Sequence, residues 1–351
     1  MRDALRRFVR PTREERTAQR SRDVWIVIGA AYVLLAFAYF WPPDTSTRAG
    51  VPVEWAAFMI RVLQFHLGLL VAVFAGYALV RRNWRAAVAA MPVIAFTLAS
   101  SVWTHVESPD GRAPAGPSTR VMTANLLVSN RKHAAMVHEV KDAKPDVLVL
   151  QEYSAAWDTA LRPALTKTLP HPAVETREDS FGTALFARDQ LPRDTEPSPV
   201  LGSGETPETR TVIRLGGQDV ALYNIHLLPP IGMDYVREGH RQFDDLVDLV
   251  RAERIPVIVV GDLNFTETTP QHRRLQEIGL RDAWDLRGRG RGTTWPNNSV
   301  LRYLPGLRLD HLYVSKEIAV VDVRIGDGRG SDHRPVIADL AIRTSYTSAG
   351  T

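Results

Sequence analysis

Hydrophobic positions divide the chain into two regimes. Residues 24–40 form an unbroken apolar run of 17, residues 62–80 a run of 19 with only Gln64 and His66 polar, and residues 86–103 a run of 18 without a charge. A helix rises ~1.5 Å per residue, so ~17–25 apolar residues cross the hydrocarbon layer of a bilayer. Three transmembrane helices are therefore expected within residues 23–105. Trp25, Trp41, Trp55, Trp84 and Trp103 stand at or near run ends, where interfacial aromatics belong. The first run also fits a signal peptide, but it is long for one, and Trp41-Pro-Pro-Asp44 is not a small-x-small cleavage site. Residues 106–118 are Pro/Gly-rich without periodicity and read as a linker. Beyond it, over 119–345, short β-rich runs alternate with helix-length stretches. Strands are expected at 120–127, 146–151, 182–187, 211–215, 219–225, 256–260, 309–314 and 336–342. Helices are expected at about 132–143, 154–167, 236–252 and 270–278. That alternation marks an α/β domain, with 346–351 as a flexible tail.

Composition narrows the chemistry. Hydrophobic residues make up 45 % of the 351, too many for a disordered chain. The absence of cysteine excludes a disulfide framework, a thiolate metal site and a cysteine nucleophile. The net charge of +4 is local: residues 1–22 hold eight arginines against three acids, whereas residues 119–351 hold 29 Lys and Arg against 31 Asp and Glu. The basic excess therefore says little about nucleic-acid binding by the main domain. The tail reads either as a solvated segment or, given the apolar run that follows, as a cytoplasmic anchor. Arg81, Arg82 and Arg85 mark a second cytoplasmic loop. By the positive-inside rule three crossings then place the C-terminal domain outside. Arg61, Gln64 and His66 fall near the outer end of the second run, where snorkelling to the interface accounts for them.

Several expected strands end in a polar residue: Asn125, Glu152, His226, Asp262 with Asn264, Asp310, and Asp332 with His333. Singly, each is the kind of residue that caps a helix or makes a turn. Together they form a set suited to hydrolysis. Glu152, Asp262 and Asp332 supply the oxygen ligands that Mg²⁺ takes, and His226 and His333 titrate near neutrality. Arg287, Arg289, Arg291, Arg302 and Arg308 crowd a Gly-rich stretch and read equally as a solvated loop or as a cationic rim for phosphate. Glu208 or Arg210 orients His226, grips phosphate or forms a surface ion pair, and Trp295 reads as packing, with stacking on a ligand as the alternative.

Thr123-Ala-Asn125, Leu150-Gln-Glu152, Asn224-Ile-His226, Gly261-Asp-Leu-Asn264, Leu309-Asp310-His311 and Ser331-Asp-His333 resemble, in order, the motifs of the endonuclease/exonuclease/phosphatase superfamily of DNase I-like enzymes. The resemblance covers about 119–342 and implies a four-layer α/β/β/α sandwich. The three-helix anchor is similar to that of membrane proteins of this superfamily associated with teicoplanin resistance. Carried over by position, Glu152 is the principal Mg²⁺ (or Mn²⁺) ligand, Asn125 orients Asp262 or the metal, and Asp332 lies at the metal or binds it through water. Asp310 then holds one ring nitrogen of His333, Asp262 and Asn264 position and deprotonate water, and His226 contacts a phosphoryl oxygen or the leaving group. The function implied is a membrane-anchored phosphohydrolase acting on a phosphate ester or pyrophosphate, with a lipid-linked envelope substrate favoured. An extracytoplasmic nuclease, the only reading that brings in nucleic acid, and an inactive binding module are the alternatives.

Overall fold

A computed structural model describes residues 13–40, 50–103, 117–204, 206–298 and 300–343. The first half of the basic tail, the 41–49 part of the first loop with Trp41, most of the linker and the 346–351 tail lie outside the described residues.

Among the described residues, four helices precede the α/β domain: α1 (Arg13–Phe40), α2 (Gly50–Val62), α3 (Gln64–Val80) and α4 (Trp84–Trp103). Helices α1, α3 and α4 share one apolar core in which Ala31, Ala75, Ala78 and Ala90 face one another. Small side chains let helices approach closely without a polar contact. At Gly68 the approach leaves no room for a Cβ, which would run into the Thr97 side chain. Among the described residues, only the segment Ser21–Phe40 is by itself long and apolar enough to cross a membrane, where the sequence suggested three. The second expected run is α3 but for its first two residues; α2 and α3 meet at Leu63 with a bend of 62° and reach a span's length and apolarity only as a pair, and the apolar part of α4 is the shorter Trp84–Ala99. Nor do the polar residues of this region snorkel. Arg61 Nε donates to the Ala38 carbonyl at 2.9 Å, Tyr39 OH donates to Gln64 Oε1, and His66 Nε2 lies 2.6 Å from the Pro305 carbonyl of the α/β domain. Helix α2, which the hydropathy pattern did not reveal, lies against that domain instead of continuing α3.

The domain holds two mixed sheets. The first runs β10-β11-β1-β2-β4-β3, from β1 (Thr119–Asn125), β2 (Val147–Gln151), β3 (His171–Glu175), β4 (Thr183–Ala187), β10 (Ile318–Ile325) and β11 (Val336–Ile342). The second runs β5-β6-β7-β9-β8, from β5 (Thr209–Leu215), β6 (Gln218–His226), β7 (Val257–Asp262), β8 (Arg281–Asp282) and β9 (Asp310–Val314). Among the described residues, only β1/β2 and β6/β7 pair in parallel, across the crossover helices α5 (His133–Ala143) and α7 (Met233–Ala252). Strand alternation assigns the layers. Val147 and Val149 of β2, with Val220 and Leu222 of β6 and Ile258 and Val260 of β7, fill the core between the sheets. Leu148 and Leu150 turn outward against α5 and α6 (Ala155–Leu165), while Val257 and Val259 turn outward against α7 and α8 (Pro270–Glu277). The result is helix, sheet, sheet, helix. A short helix α9 (Ala283–Arg287) closes the edge beside β8.

Candidate active site

The same alternation aims the polar strand ends. In β6, Val220 and Leu222 face the inter-sheet core, so Asn224 and His226 do too. In β7 the parity of Ile258 and Val260 carries to Asp262, and in β9 that of Leu312 and Val314 carries back to Asp310. Register then aligns the three. His226 is the partner of Asp262 across parallel β6/β7, and Asp262 is the partner of Asp310 across antiparallel β7/β9. From the other sheet come Asn125 at the end of β1 and Glu152 just after β2. Ser331, before Asp332 and His333, donates its hydroxyl to the Asn125 carbonyl at 2.8 Å and accepts the His333 N–H at 3.0 Å. All eight sequence-predicted residues therefore meet at one end of the sandwich.

One amide there holds two carboxylates, and its bond to Asp262 joins the two sheets. Asn125 Nδ2 donates to Glu152 Oε1 and to Asp262 Oδ2, each at 3.0 Å. Glu152 Oε2 accepts from the Val128 N–H at 2.8 Å. The Asn264 N–H donates to Asp262 Oδ1 at 3.1 Å, and its side chain is committed to the Leu227 carbonyl at 2.8 Å. His333 Nδ1 stands 2.8 Å from Asp310 Oδ2, and Nε2 of both His226 and His333 approaches Asp262 Oδ2, at 3.6 and 3.7 Å. Backbone strain is concentrated here: Glu152 and Asn264 hold φ of +56° and +51°, conformations that cost non-glycine residues about 1–3 kcal/mol each. Gly261, at φ +142°, has no such choice, because a Cβ would run into the Ile225 carbonyl.

Burial disfavours a charge on His333, but Asp310 and Asp262, with Asp332 beyond them, outweigh it and push the imidazole up to about 10. Burial likewise raises the Asp262 carboxyl, opposed by His333. Donor atoms of Asp262, Asp310 and His333 lie within 4.8 Å of one another. Within that trio His333 and Asp310 are hydrogen-bonded, while Asp262 stands at ion-pair distance from the imidazole. Oxygen atoms suited to a hard cation are also open outside that trio. Asp332 Oδ1 is buried with no hydrogen-bond donor among the described residues, while Asp332 Oδ2 has only the Trp295 indole N–H at 3.4 Å. The Glu152 oxygens, each carrying one N–H, retain lone pairs for a hard cation. Asn125 spans two carboxylates and so orients them. A second acidic group, His272 with Asp282 and Asp285, already contains a cation, the guanidinium of Arg308 at 2.8 and 2.9 Å from the two carboxylates.

That guanidinium overturns part of the rim reading. Arg308 is buried in those ion pairs, Arg287 Nε donates to the Val320 carbonyl, and Arg291 lies over the Phe65 ring of α3. Arg210 pairs with Glu253, and Glu208 is buried against the Thr206 hydroxyl and the Val200 N–H; neither is hydrogen-bonded to His226. Other positioning residues went unnoticed in the sequence. Gln151 Nε2 donates to Asn224 Oδ1 at 2.8 Å, and Asn224 Nδ2 donates to Thr183 Oγ1 at 2.7 Å, which pins the sheets together beneath the site. The Thr294 hydroxyl accepts the Leu309 and Asp310 N–H groups. Glu139 accepts the Asp327, Gly328 and Arg329 N–H groups and so fixes the loop that leads to Asp332. The parity of Gln151 and Asn224 was a signal available in the sequence. Nothing local marks Thr294 or Glu139. Phe181 flanks His226 with ring centroids 5.8 Å apart, and Tyr235 flanks Phe181 at 6.4 Å.

Residues 122–333 match the family model described as Endonuclease/Exonuclease/phosphatase family. No curated protein matches the chain. Among solved structures, a 3′ phosphatase, NExo, from Neisseria bound to a product DNA hairpin is 22 % identical with a TM-score of 0.53, over 63 % of this chain and 98 % of that one. A family protein from Leptotrichia buccalis is 14 % identical with a TM-score of 0.54, over 64 % and 100 %. An endonuclease/exonuclease/phosphatase from Beutenbergia cavernae is 19 % identical with a TM-score of 0.51, over 65 % and 72 %. At these identities the likeness is one of fold.

Proposed function

The chain belongs to the endonuclease/exonuclease/phosphatase family, and from that premise we propose that it is a membrane-anchored, metal-dependent phosphohydrolase that cleaves a phosphate ester or pyrophosphate carried by a lipid. The observation that carries the hydrolytic reading is the hydrogen-bonded series Glu152–Asn125–Asp262 with His333–Asp310 beside it. Asp262, fixed at Oδ1 by the Asn264 N–H and at Oδ2 by Asn125, takes a proton from the attacking water. His333, clamped by Asp310, donates toward a phosphoryl oxygen, and His226 stands on the opposite side of Asp262 to protonate the leaving oxygen. Glu152 and Asp332 would hold Mg²⁺ or Mn²⁺, whose charge supports the developing anion. Helices α1, α3 and α4 are read as three spans, with the basic tail and the Arg81–Arg82–Arg85 turn in the cytoplasm and the α/β domain outside.

The near-neutral charge of that domain supports a compact head group over a long polyanion, which draws affinity from rows of Lys and Arg. The test compares full-length protein in detergent micelles on prenyl pyrophosphate, phospholipid, inositol phosphate and DNA at equal Mg²⁺, with and without chelator. Metal-dependent phosphate release from a lipid supports the proposal. Rapid DNA cleavage with none released from lipid replaces it with a nuclease. A reporter active only outside the cytoplasm, fused after Thr351, checks the topology, and a silent reporter at normal expression refutes it.

A further inference from the structure

We propose that two surface segments of the α/β domain, residues 230–235 at the entry to α7 and residues 300–305, enter the surface of the bilayer and frame the mouth of the site, so that a phosphorylated amphiphile reaches it from the lipid side. The proposal rests on the reading of the chain as membrane-anchored and adds to it a docking surface.

Both segments expose large apolar side chains, the first around an exposed Asp234 that pairs with Arg237. Ile231 is 76 % exposed, Tyr303 82 % and Leu304 61 %, with Met233 and Val300 also open. Scattered single hydrophobes need no explanation, but clusters of this kind mark an interaction surface. What these clusters share is their attachment. The Trp55 indole of α2 donates to the Pro230 carbonyl at 2.9 Å, and His66 of α3 contacts the Pro305 carbonyl at 2.6 Å. His66 is the third residue of α3, so Pro305 meets that apolar helix about 3–5 Å past its start, at the depth of a head-group layer. The helix face continuing from there is open and apolar, with Leu70, Val73 and Val80 exposed. The two clusters therefore extend the surface that the anchor presents to lipid. Their composition also suits an interface, since Tyr303 and Tyr235 pair an apolar ring with a polar tip and exposed Arg302 lies over the Tyr303 ring.

The segments also border the chemistry. Tyr235 packs on Phe181, which packs on His226. On the other side, residues 300–305 follow the stretch in which the Trp295 indole N–H reaches Asp332 and the Asn297 N–H donates to its carbonyl. An amphiphile held between them would keep its chain in lipid and its phosphate beside His226 and Asp332.

The chain contains no cysteine, so single nitroxide labels at Ile231→Cys, Leu304→Cys and Tyr303→Cys report one position each in the full-length protein. Lys316→Cys, in the turn at the far end of β9, and Val73→Cys, in the middle of α3, bracket the range. The protein is reconstituted in phosphatidylcholine/phosphatidylglycerol nanodiscs, and collision with oxygen, which partitions into lipid, is compared with collision with a water-soluble nickel chelate. The expected result is oxygen-dominated collision at both segments and at Val73, and nickel-dominated collision at Lys316. Nickel-dominated collision at either segment with Val73 in lipid overturns the proposal and leaves the anchor standing. An aqueous Val73 overturns both. Exclusion of both reagents at the segments marks burial against protein and also overturns it. Immersion is read without turnover, so a failure of phosphohydrolase activity leaves this result untouched.

Discussion

Replacing Arg308 by methionine separates a structural from a substrate-binding role for the arginine cluster before β9. Arg308 is 3 % exposed and donates to Asp282 Oδ2 at 2.8 Å and to Asp285 Oδ1 at 2.9 Å. Methionine approximates the length of the stem but leaves the Asp282 carboxylate, also buried, without its cation. Breaking a buried pair by removing one partner costs about 3–5 kcal/mol. The lower end applies here for two reasons. Asp285 is 32 % exposed, so water screens its share, and His311 Nδ1 still meets Asp282 at 2.7 Å. A loss of about 3 kcal/mol lowers the melting temperature of a domain this size by roughly 6–12 °C. Near-UV circular dichroism of the full-length protein in detergent measures it, with exposed Arg289→Met as a control expected to stay within about 0.5 kcal/mol. Arg308 also holds Asp285 below the usual carboxylate range, against burial. A depressed carboxyl contributes stability above its unfolded pKa and loses it as pH falls, so the gap between Arg308→Met and the wild type should narrow below about pH 4. An Arg308→Met protein that melts like the wild type but shows a raised KM for a phosphorylated substrate would refute this reasoning and restore the rim.

Three further outcomes follow from the site and its surroundings. Chelation should abolish turnover and Mg²⁺ or Mn²⁺ should restore it, and Glu152→Gln should reduce kcat far more than Asp310→Asn, whose loss of one charge-assisted hydrogen bond is worth about 1.5–3 kcal/mol, roughly 10–150-fold; equal losses in the two variants contradict the assigned roles. Burial pushes Glu208 up to about 7, so the folded state holds a proton that the unfolded state has released, and stability should fall by about 3 kcal/mol as pH rises from about 4.5 to 7; melting curves of Glu208→Gln should lack that slope, and an unchanged slope assigns it elsewhere. Gly261→Ala should cost well over 1 kcal/mol and disorder Asp262, because the added Cβ meets the Ile225 carbonyl; melting temperature and kcat measured together check both.

Much of the α/β domain was legible because its strands are buried on both faces and short. Runs such as Val147–Gln151 and Val257–Asp262 stand out by composition, and the polar residue that ends each run marks where the chain reaches solvent at the end of a sheet. That is why Asn125, Glu152, His226, Asp262 and Asp310 could be picked out singly. Three strands escaped notice for local reasons. Strand β3 is an edge strand carrying Pro172, β8 is two residues long, and β10 alternates charge with Val and Ile.

What one dimension could not hold is which polar residues find each other. Asn125 bridges Glu152 and Asp262 across 27 and 137 residues of sequence, and Glu139 caps a loop 188 residues away. Such partnerships depend on packing one sheet on the other, which no local spacing encodes. Arg308 and Arg289 look alike in the sequence, yet one is sunk between carboxylates and the other faces solvent. The bend at Leu63 has the same origin. Hydropathy reads residues 62–80 as one run, but it cannot register that Trp55, Arg61 and His66 have polar partners elsewhere in the fold. Apolar burial is additive along the chain and so leaves a readable pattern, whereas hydrogen bonds and ion pairs are pairwise and were decided by the tertiary structure alone.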